Sequence, residues 1–136
     1  MKLLIIYMDK FSYKTTTKTL ESFADDRRTE SFDNVLVGFI QAEKEDEEEV
    51  NKKVKKLIKS LKWAAGKNKT KRIILHSFAH LSKSKADPKI AQEILNKAKE
   101  RLENVGYEVH QTPFGYFLDL NVSAPGLSTA RIFQDL

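Results

Sequence analysis

At 136 residues, with 40% hydrophobic and 32% charged side chains, the chain has the length and balance of one globular domain, which excludes wholesale disorder. It has no Cys, which excludes disulfides and thiolate metal sites and is the usual state of a protein made for a reducing compartment, so a cytoplasmic location is expected. The net charge of +5, from 24 basic and 19 acidic residues, permits nucleic-acid binding without pointing to it.

Residues 2–8 are a continuous apolar run after Lys2. The run is far shorter than the roughly 18 residues of a membrane span, and Asp9 and Lys10 end it with no small-residue cleavage site beyond. It reads as a buried strand, not a targeting segment. Phe11 to Thr19 alternates aromatic and polar residues and predicts a second strand paired with the first. Residues 21–33, centred on Asp25-Asp26-Arg27-Arg28, read as a loop. Asn34 to Ala42 predicts a third strand. From Glu45 the period changes: Val50, Val54, Leu57, Ile58 and Leu61 share one helical face, which predicts a helix near 46–64. Acidic residues 45–49 crowd its solvated start, lysines 52–62 fill its outer face, and Gly66 ends it.

Arg72 to Phe78 predicts a fourth strand. Asp87-Pro88 is a helix start, with an N-cap acid before proline at the first helical position, and the helix runs to about residue 104. Tyr107 to His110 and Phe114 to Val122 predict two more strands, joined by Gln111-Thr112-Pro113. Ala124-Pro125-Gly126 is a turn, and the last ten residues carry little signal. The order β-β-β-α-β-α-β-β implies an α/β fold of one domain over residues 1–136, a mixed β-sheet with two main helices.

Little in this pattern announces chemistry. His76 and His80 stand four apart but straddle a strand end, and His110 is remote, so no metal site and no cofactor is expected. There is no nucleophile elbow and no glycine-rich phosphate loop. Lys83, Lys85 and Lys89 flank the loop after His80, at a strand end where α/β sheets place ligands, and suit a phosphate backbone. An ordinary solvated loop is the plainer reading of the same residues.

Three ordered segments add to this. Gly38-Phe39-Ile40-Gln41-Ala42-Glu43-Lys44-Glu45-Asp46, then Phe78-Ala79-His80-Leu81-Ser82, then Gly106-Tyr107-Glu108-Val109 leading to Thr112-Pro113-Phe114-Gly115-Tyr116, resemble the N-terminal editing domain of archaeal threonyl-tRNA synthetases. The resemblance implies the fold of the D-aminoacyl-tRNA deacylases and a homodimer. It also implies a pocket for the charged terminal adenosine of tRNA, where serine wrongly attached to threonine tRNA is hydrolysed with help from backbone groups and the ribose hydroxyl. The catalytic histidine of that pattern falls on His80, the strand-end contact region on Ala42 and Glu43, and the pocket wall on Phe78, Ala79 and Phe114. Tyr116 and Phe117 continue that wall.

The sequence departs from the pattern at polar positions. Where the family has Trp-Tyr-Lys, this chain has Tyr116-Phe117-Leu118, so a lysine has become Leu118 and a tyrosine hydroxyl is lost at Phe117. Where the family has Gly-His-Pro-Leu and an acid, this chain reads Gly126-Leu127-Ser128-Thr129-Ala130-Arg131. Losing a cation removes transition-state electrostatics, so the expected activity is weak, altered or absent deacylation with the fold retained. Three readings stay open. The first is an editing-type deacylase acting on the 3′ end of tRNA. The second is a catalytically silent tRNA-binding or dimerisation module related to a threonyl-tRNA synthetase. The third is a small-molecule binder on the same fold.

Overall fold

In a computed structural model that describes residues 1–136, the chain forms six strands and two helices. They are β1 (Lys2–Lys18), β2 (Thr29–Gln41), α1 (Val50–Lys67), β3 (Arg72–Ser77), α2 (Pro88–Asn104), β4 (Glu108–Gln111), β5 (Tyr116–Ser123) and β6 (Arg131–Asp135). The sheet order is β4-β3-β2-β1-β5, with β6 also pairing β1. β3 runs parallel to β2 and β4 parallel to β3, whereas β2, β5 and β6 are all antiparallel to β1. The architecture is the expected mixed sheet with two helices.

Several boundaries differ from the sequence expectation, each for a local reason. The two strands expected over 2–8 and 11–19 are one strand, and they do not pair with each other. β2 accompanies β1 in one register from Lys2↔Gln41 to Lys14↔Thr29. Asp9 and Lys10 are exposed strand residues, not a turn. Residues 29–33, expected in a loop, belong to β2: they lack an apolar run because they lie on its half-exposed end, where Lys10 faces Asp33 and Tyr13 faces Glu30. Gly66 does not stop α1, which closes one residue later with Asn68 as cap. The final residues form β6, antiparallel to Lys2–Ile6.

The acidic run is not a solvated helix start either. Lys44–Glu48 is a separate 3-10 turn, and Asp46 within it is fully buried. Its carboxylate sits 3.1 Å from the Met1 amino group and 3.4 Å from Lys53 Nζ, and accepts the Glu43 backbone N–H at 2.7 Å. A buried carboxylate persists only when paired and hydrogen-bonded in this way.

Both helices pack on one face of the sheet. The main core there joins Leu3 and Ile5 of β1, Leu36 and Ile40 of β2, and Ile73 and Leu75 of β3 to Leu57 and Leu61 of α1 and Ile94, Ala98 and Leu102 of α2. α1 comes so close to β2 that a Cβ on Gly38 would lie 3.1 Å from Leu61. A second cluster, Met8, Phe11, Tyr13, Val35, Val37, Phe39 and Ile74, fills the other face. Its β1 members change from even to odd numbering across Asp9, opposite Asn34, which has φ of 54°. Beyond that point the sheet curls back over itself: Phe32 meets the His110 ring at 4.8 Å, and Arg28 donates to the Gln111 carbonyl at 3.0 Å. The chain leaves β4 at one edge and returns as β5 beside β1, so residues 112–115 cross the mouth of the curl.

Candidate active site

That mouth holds a cavity of about 390 Å³. Three segments distant in sequence meet there: the end of β2 (Ile40, Gln41, Ala42), the end of β3 and its loop (His76 to His80, Lys85), and the crossing segment with β5 (Pro113 to Leu118). Pro88 and Ala91, in the first turn of α2, close one side. No Asp or Glu lines the cavity.

Gln41 holds the rim together. Its amide donates to the carbonyls of Ser82 and Ser84 at 2.8 and 3.0 Å, and its oxygen accepts the N–H groups of Leu81 and Ser82 at 2.6 and 2.7 Å. One buried side chain thus uses its whole hydrogen-bonding capacity to fix the loop that follows His80. Backbone bonds continue the work, from Phe78 N–H to Ile40 and from Ala86 N–H to Ala42. No sequence signature marks this role, because the partners are backbone atoms some forty residues away.

Ala42, Phe78, Ala79, His80, Phe114, Tyr116 and Phe117 all line the cavity. The His80 ring stacks edge-on against Phe78 at 4.9 Å, and Phe78 in turn meets Phe39 at 5.2 Å. Phe114 leans on Phe23 at 5.2 Å. The ring of Tyr116 faces the cavity, but its hydroxyl accepts the Asp26 N–H at 3.0 Å and is occupied in holding the curl. Phe117 is 57% exposed at the edge. Gly115, between them, has φ of +83°, and a Cβ there would press on Leu20 at 3.1 Å, so the crossing segment requires glycine.

Glu43 lies outside the lining. Its carboxylate takes the Met1 amino group at 2.9 Å and the Ser82 hydroxyl at 2.6 Å. Burial works to raise its pKa, but the Ser82 hydrogen bond and the Met1 ammonium outweigh it and hold the group below the usual carboxylate range. Its geometry is that of a brace beneath the rim. Of the three lysines, Lys85 lines the cavity, whereas Lys83 in the loop and Lys89 in the first turn of α2 are exposed outside it. Leu118 lines the cavity with its flank on the second core cluster. Leu127 and Arg131 lie elsewhere, the first exposed and the second opening β6.

His76 is the polar group that sequence reasoning missed. It is buried on the cavity wall, with Nδ1 2.8 Å from the Thr112 hydroxyl. Burial first, then the charge of neighbouring His80, pushes its pKa down to about 4, so the ring is neutral at physiological pH. His76 Nδ1 and the Thr112 hydroxyl share one hydrogen bond, whose direction follows the ring tautomer: with Thr112 as donor, the ring hydrogen sits on Nε2. Nε2 makes no hydrogen bond with the protein. The cavity wall therefore presents a neutral imidazole with a free Nε2, which in its Nε2–H form is suited to polarising a carbonyl without protonating it.

The fold is that of the D-aminoacyl-tRNA deacylases, and a solved structure of the c-Myc DNA Unwinding Element Binding Protein superposes with a TM-score of 0.70 over 100% of this chain and 99% of that one. At 14% identity that likeness concerns the fold alone. A family model described as the Archaea-specific editing domain of threonyl-tRNA synthetase matches residues 1–136. The threonine–tRNA ligase of Thermococcus kodakarensis is 37% identical over 139 residues, covering 100% of this chain and 22% of the ligase. That of Methanobrevibacter smithii is 34% identical over 128 residues, covering 93% of this chain and 21% of the ligase. The chain belongs to the Archaea-specific family of threonyl-tRNA synthetase editing domains, and it spans about a fifth of the length of these relatives. No helix is long and apolar enough to cross a membrane.

Proposed function

We propose that the cavity receives the aminoacylated 3′ end of tRNA and that the chain hydrolyses seryl-tRNA for threonine at a low rate. The observation that carries this reading is the convergence of Ala42, Phe78 to His80 and Phe114 to Leu118 on one cavity free of carboxylates. Aromatic walls fit an adenine ring, and the absence of acids spares the adjoining phosphate a repulsive neighbour. Lys85 at the rim supplies a cation for that phosphate, with Lys83 in the same loop and Lys89 in the first turn of α2.

The reaction is ester hydrolysis. Water adds to the carbonyl carbon, the bond to the ribose oxygen breaks, and a proton goes to that oxygen, leaving free serine and uncharged tRNA. The developing oxyanion needs hydrogen-bond donors. Leu118 and Phe117 offer none, while His76 Nε2 and backbone N–H groups remain. His80, at the rim on the face of Phe78, orients the water or the substrate, and the ribose hydroxyl assists. The test is deacylation of seryl- and threonyl-tRNA side by side, with His80→Ala in parallel. Slow release of serine, lowered further by His80→Ala, is expected. Hydrolysis at the speed of an intact editing domain would refute the role given to Leu118.

One observation favours the silent-module reading: an apolar Leu118 and a hydroxyl-free Phe117 occupy the wall itself. Binding of charged tRNA without any hydrolysis, unrestored by Leu118→Lys, would establish that reading instead. A second copy of this chain is also part of the proposal. Leu120 and Val122 of β5 and Phe133 of β6 are exposed apolar residues on the two strands that share one edge of β1, a surface suited to self-association. Sedimentation showing only monomer at high micromolar concentration would exclude it.

A further inference from the structure

Every ionisable residue of α1 is a lysine, and the seven of them more than account for the net charge of +5. Lys53 is spent internally, on buried Asp46 and the Leu136 carbonyl. The other six, Lys52, Lys55, Lys56, Lys59, Lys62 and Lys67, are exposed. At 3.6 residues per turn they fall within one arc of about 140°, opposite the buried stripe of Val54, Leu57, Ile58 and Leu61. The row from Lys52 to Lys67 is about 22 Å long. A single carboxylate touches it, Glu49 at 3.3 Å from Lys52. In the middle of the row stands Trp63, 52% exposed, with Lys67 Nζ 5.7 Å from its ring.

We propose that this outer face of α1 is a second nucleic-acid surface, which binds the phosphate backbone of the tRNA body while the cavity holds its end. A linear row of cations without acids is the electrostatic footprint of a polyanion site. An exposed indole among lysines adds a stacking platform for a base or sugar. An anionic membrane is the poorer fit, because the apolar face of α1 is buried against the sheet and cannot enter a bilayer. The proposal rests on the editing-domain reading only for naming tRNA as the ligand.

The experiment measures binding of a tRNA transcript by fluorescence anisotropy across a salt series. It compares the protein with Lys55→Ala/Lys56→Ala/Lys59→Ala and with Lys97→Ala/Lys99→Ala/Arg101→Ala on α2. A non-hydrolysable seryl-adenosine amide, too small to reach α1, reports on the cavity, and vesicles rich in anionic lipid form a separate arm. The α1 variant is expected to lose about tenfold or more in affinity, with a salt slope shallower by about 2 to 3. Its affinity for the amide should not change, and the α2 variant should behave nearly as the parent. Unchanged tRNA binding by the α1 variant overturns the proposal, as does an equal loss in both variants, or a loss confined to the vesicles. If the amide fails to bind while the tRNA effect persists, the α1 surface stands and the cavity reading falls.

Discussion

The cavity wall and the outer face of α1 both lack carboxylates, in a chain that has 19, but they do so in different surroundings. The cavity is recessed, lined with aromatic rings and free of carboxylates, with a neutral imidazole in its wall and Lys85 at its rim. The helix face is open, wet and wholly cationic. Interactions in the first are short-ranged and little affected by salt, while those at the second reach about 8 to 10 Å and fade as ionic strength rises. Under the proposed function, the chain would separate recognition of a terminus, by shape and desolvation, from attraction of the polymer, by charge. The charged face has a cost to folding: Lys52/Lys56, Lys55/Lys59 and Lys59/Lys62 are like-charge neighbours on one helix, each unfavourable by about 0.2–0.5 kcal/mol. Helix α2, packed beside α1, mixes signs and forms the Lys97–Glu93 pair at 3.0 Å, so solubility alone does not demand the arrangement on α1.

The largest effect belongs to the cavity. Leu118→Lys is expected to raise seryl-tRNA deacylation on the order of a hundredfold, the typical worth of one oxyanion donor. Single-turnover rates check it, with chemical denaturation run alongside because Leu118 also touches the second core cluster. An increase that vanishes in 0.5 M salt would assign it to tRNA capture and blur the contrast between the two regions.

His76 supplies the next effect, through stability. Its folded pKa of about 4 lies below the value near 6.5 of an unfolded histidine. The unfolded chain therefore takes up the proton first, so the contribution is complete above about pH 6.5 and is lost as pH falls toward 4. The loss is on the order of 3 kcal/mol at 1.36 kcal/mol per unit. Urea midpoints across this range should fall for the parent and fall less for His76→Gln. Identical pH profiles would place His76 in wetter surroundings than the cavity wall provides.

On α1 the expected effects are smaller. Trp63→Ala should weaken tRNA binding by about 1–3 kcal/mol if a base stacks on it, with the seryl-adenosine amide binding as before. Smallest of all, Lys56→Glu should stabilise the fold by about 0.3–0.5 kcal/mol, by replacing repulsion from Lys52 and Lys59 with attraction, and should weaken tRNA binding at the same time. A substitution that improved both would dissolve the distinction.

Periodicity made the two helices legible, since Val54, Leu57, Ile58 and Leu61 and then Ile94, Leu95, Ala98 and Leu102 recur on one face and Asp87-Pro88 marks a start. Strand limits were harder to read. Asp9-Lys10 looks like a break because a strand normally shows one buried face, whereas here the buried set changes faces at that point. Residues 29–33 and 131–135 are strands by virtue of their pairing with β1, which no local window contains. Asp46 looked solvated because its main partner, the Met1 amino group, is not a side chain. The meeting of Ala42, His80 and Phe114 was suggested only by family resemblance. His76 and Thr112, 36 residues apart, carry no shared signature at all.

The long strand β1 has a consequence for how the chain acquires its shape. One of its edges is paired from Lys2 to Lys14 by β2, its near neighbour, but the other is paired by β5 and β6, which lie roughly a hundred residues downstream. During synthesis, at about 5–20 residues per second, β1 waits several seconds for those partners with a row of free N–H and C=O groups. Such an edge is a template for any other strand. Lysines at positions 2, 10, 14 and 18 punctuate it, as charges do on strand edges that must stay unpaired for a time. A nascent chain halted before Tyr116 would keep that edge open, and so would be the form most prone to pair with its own copies.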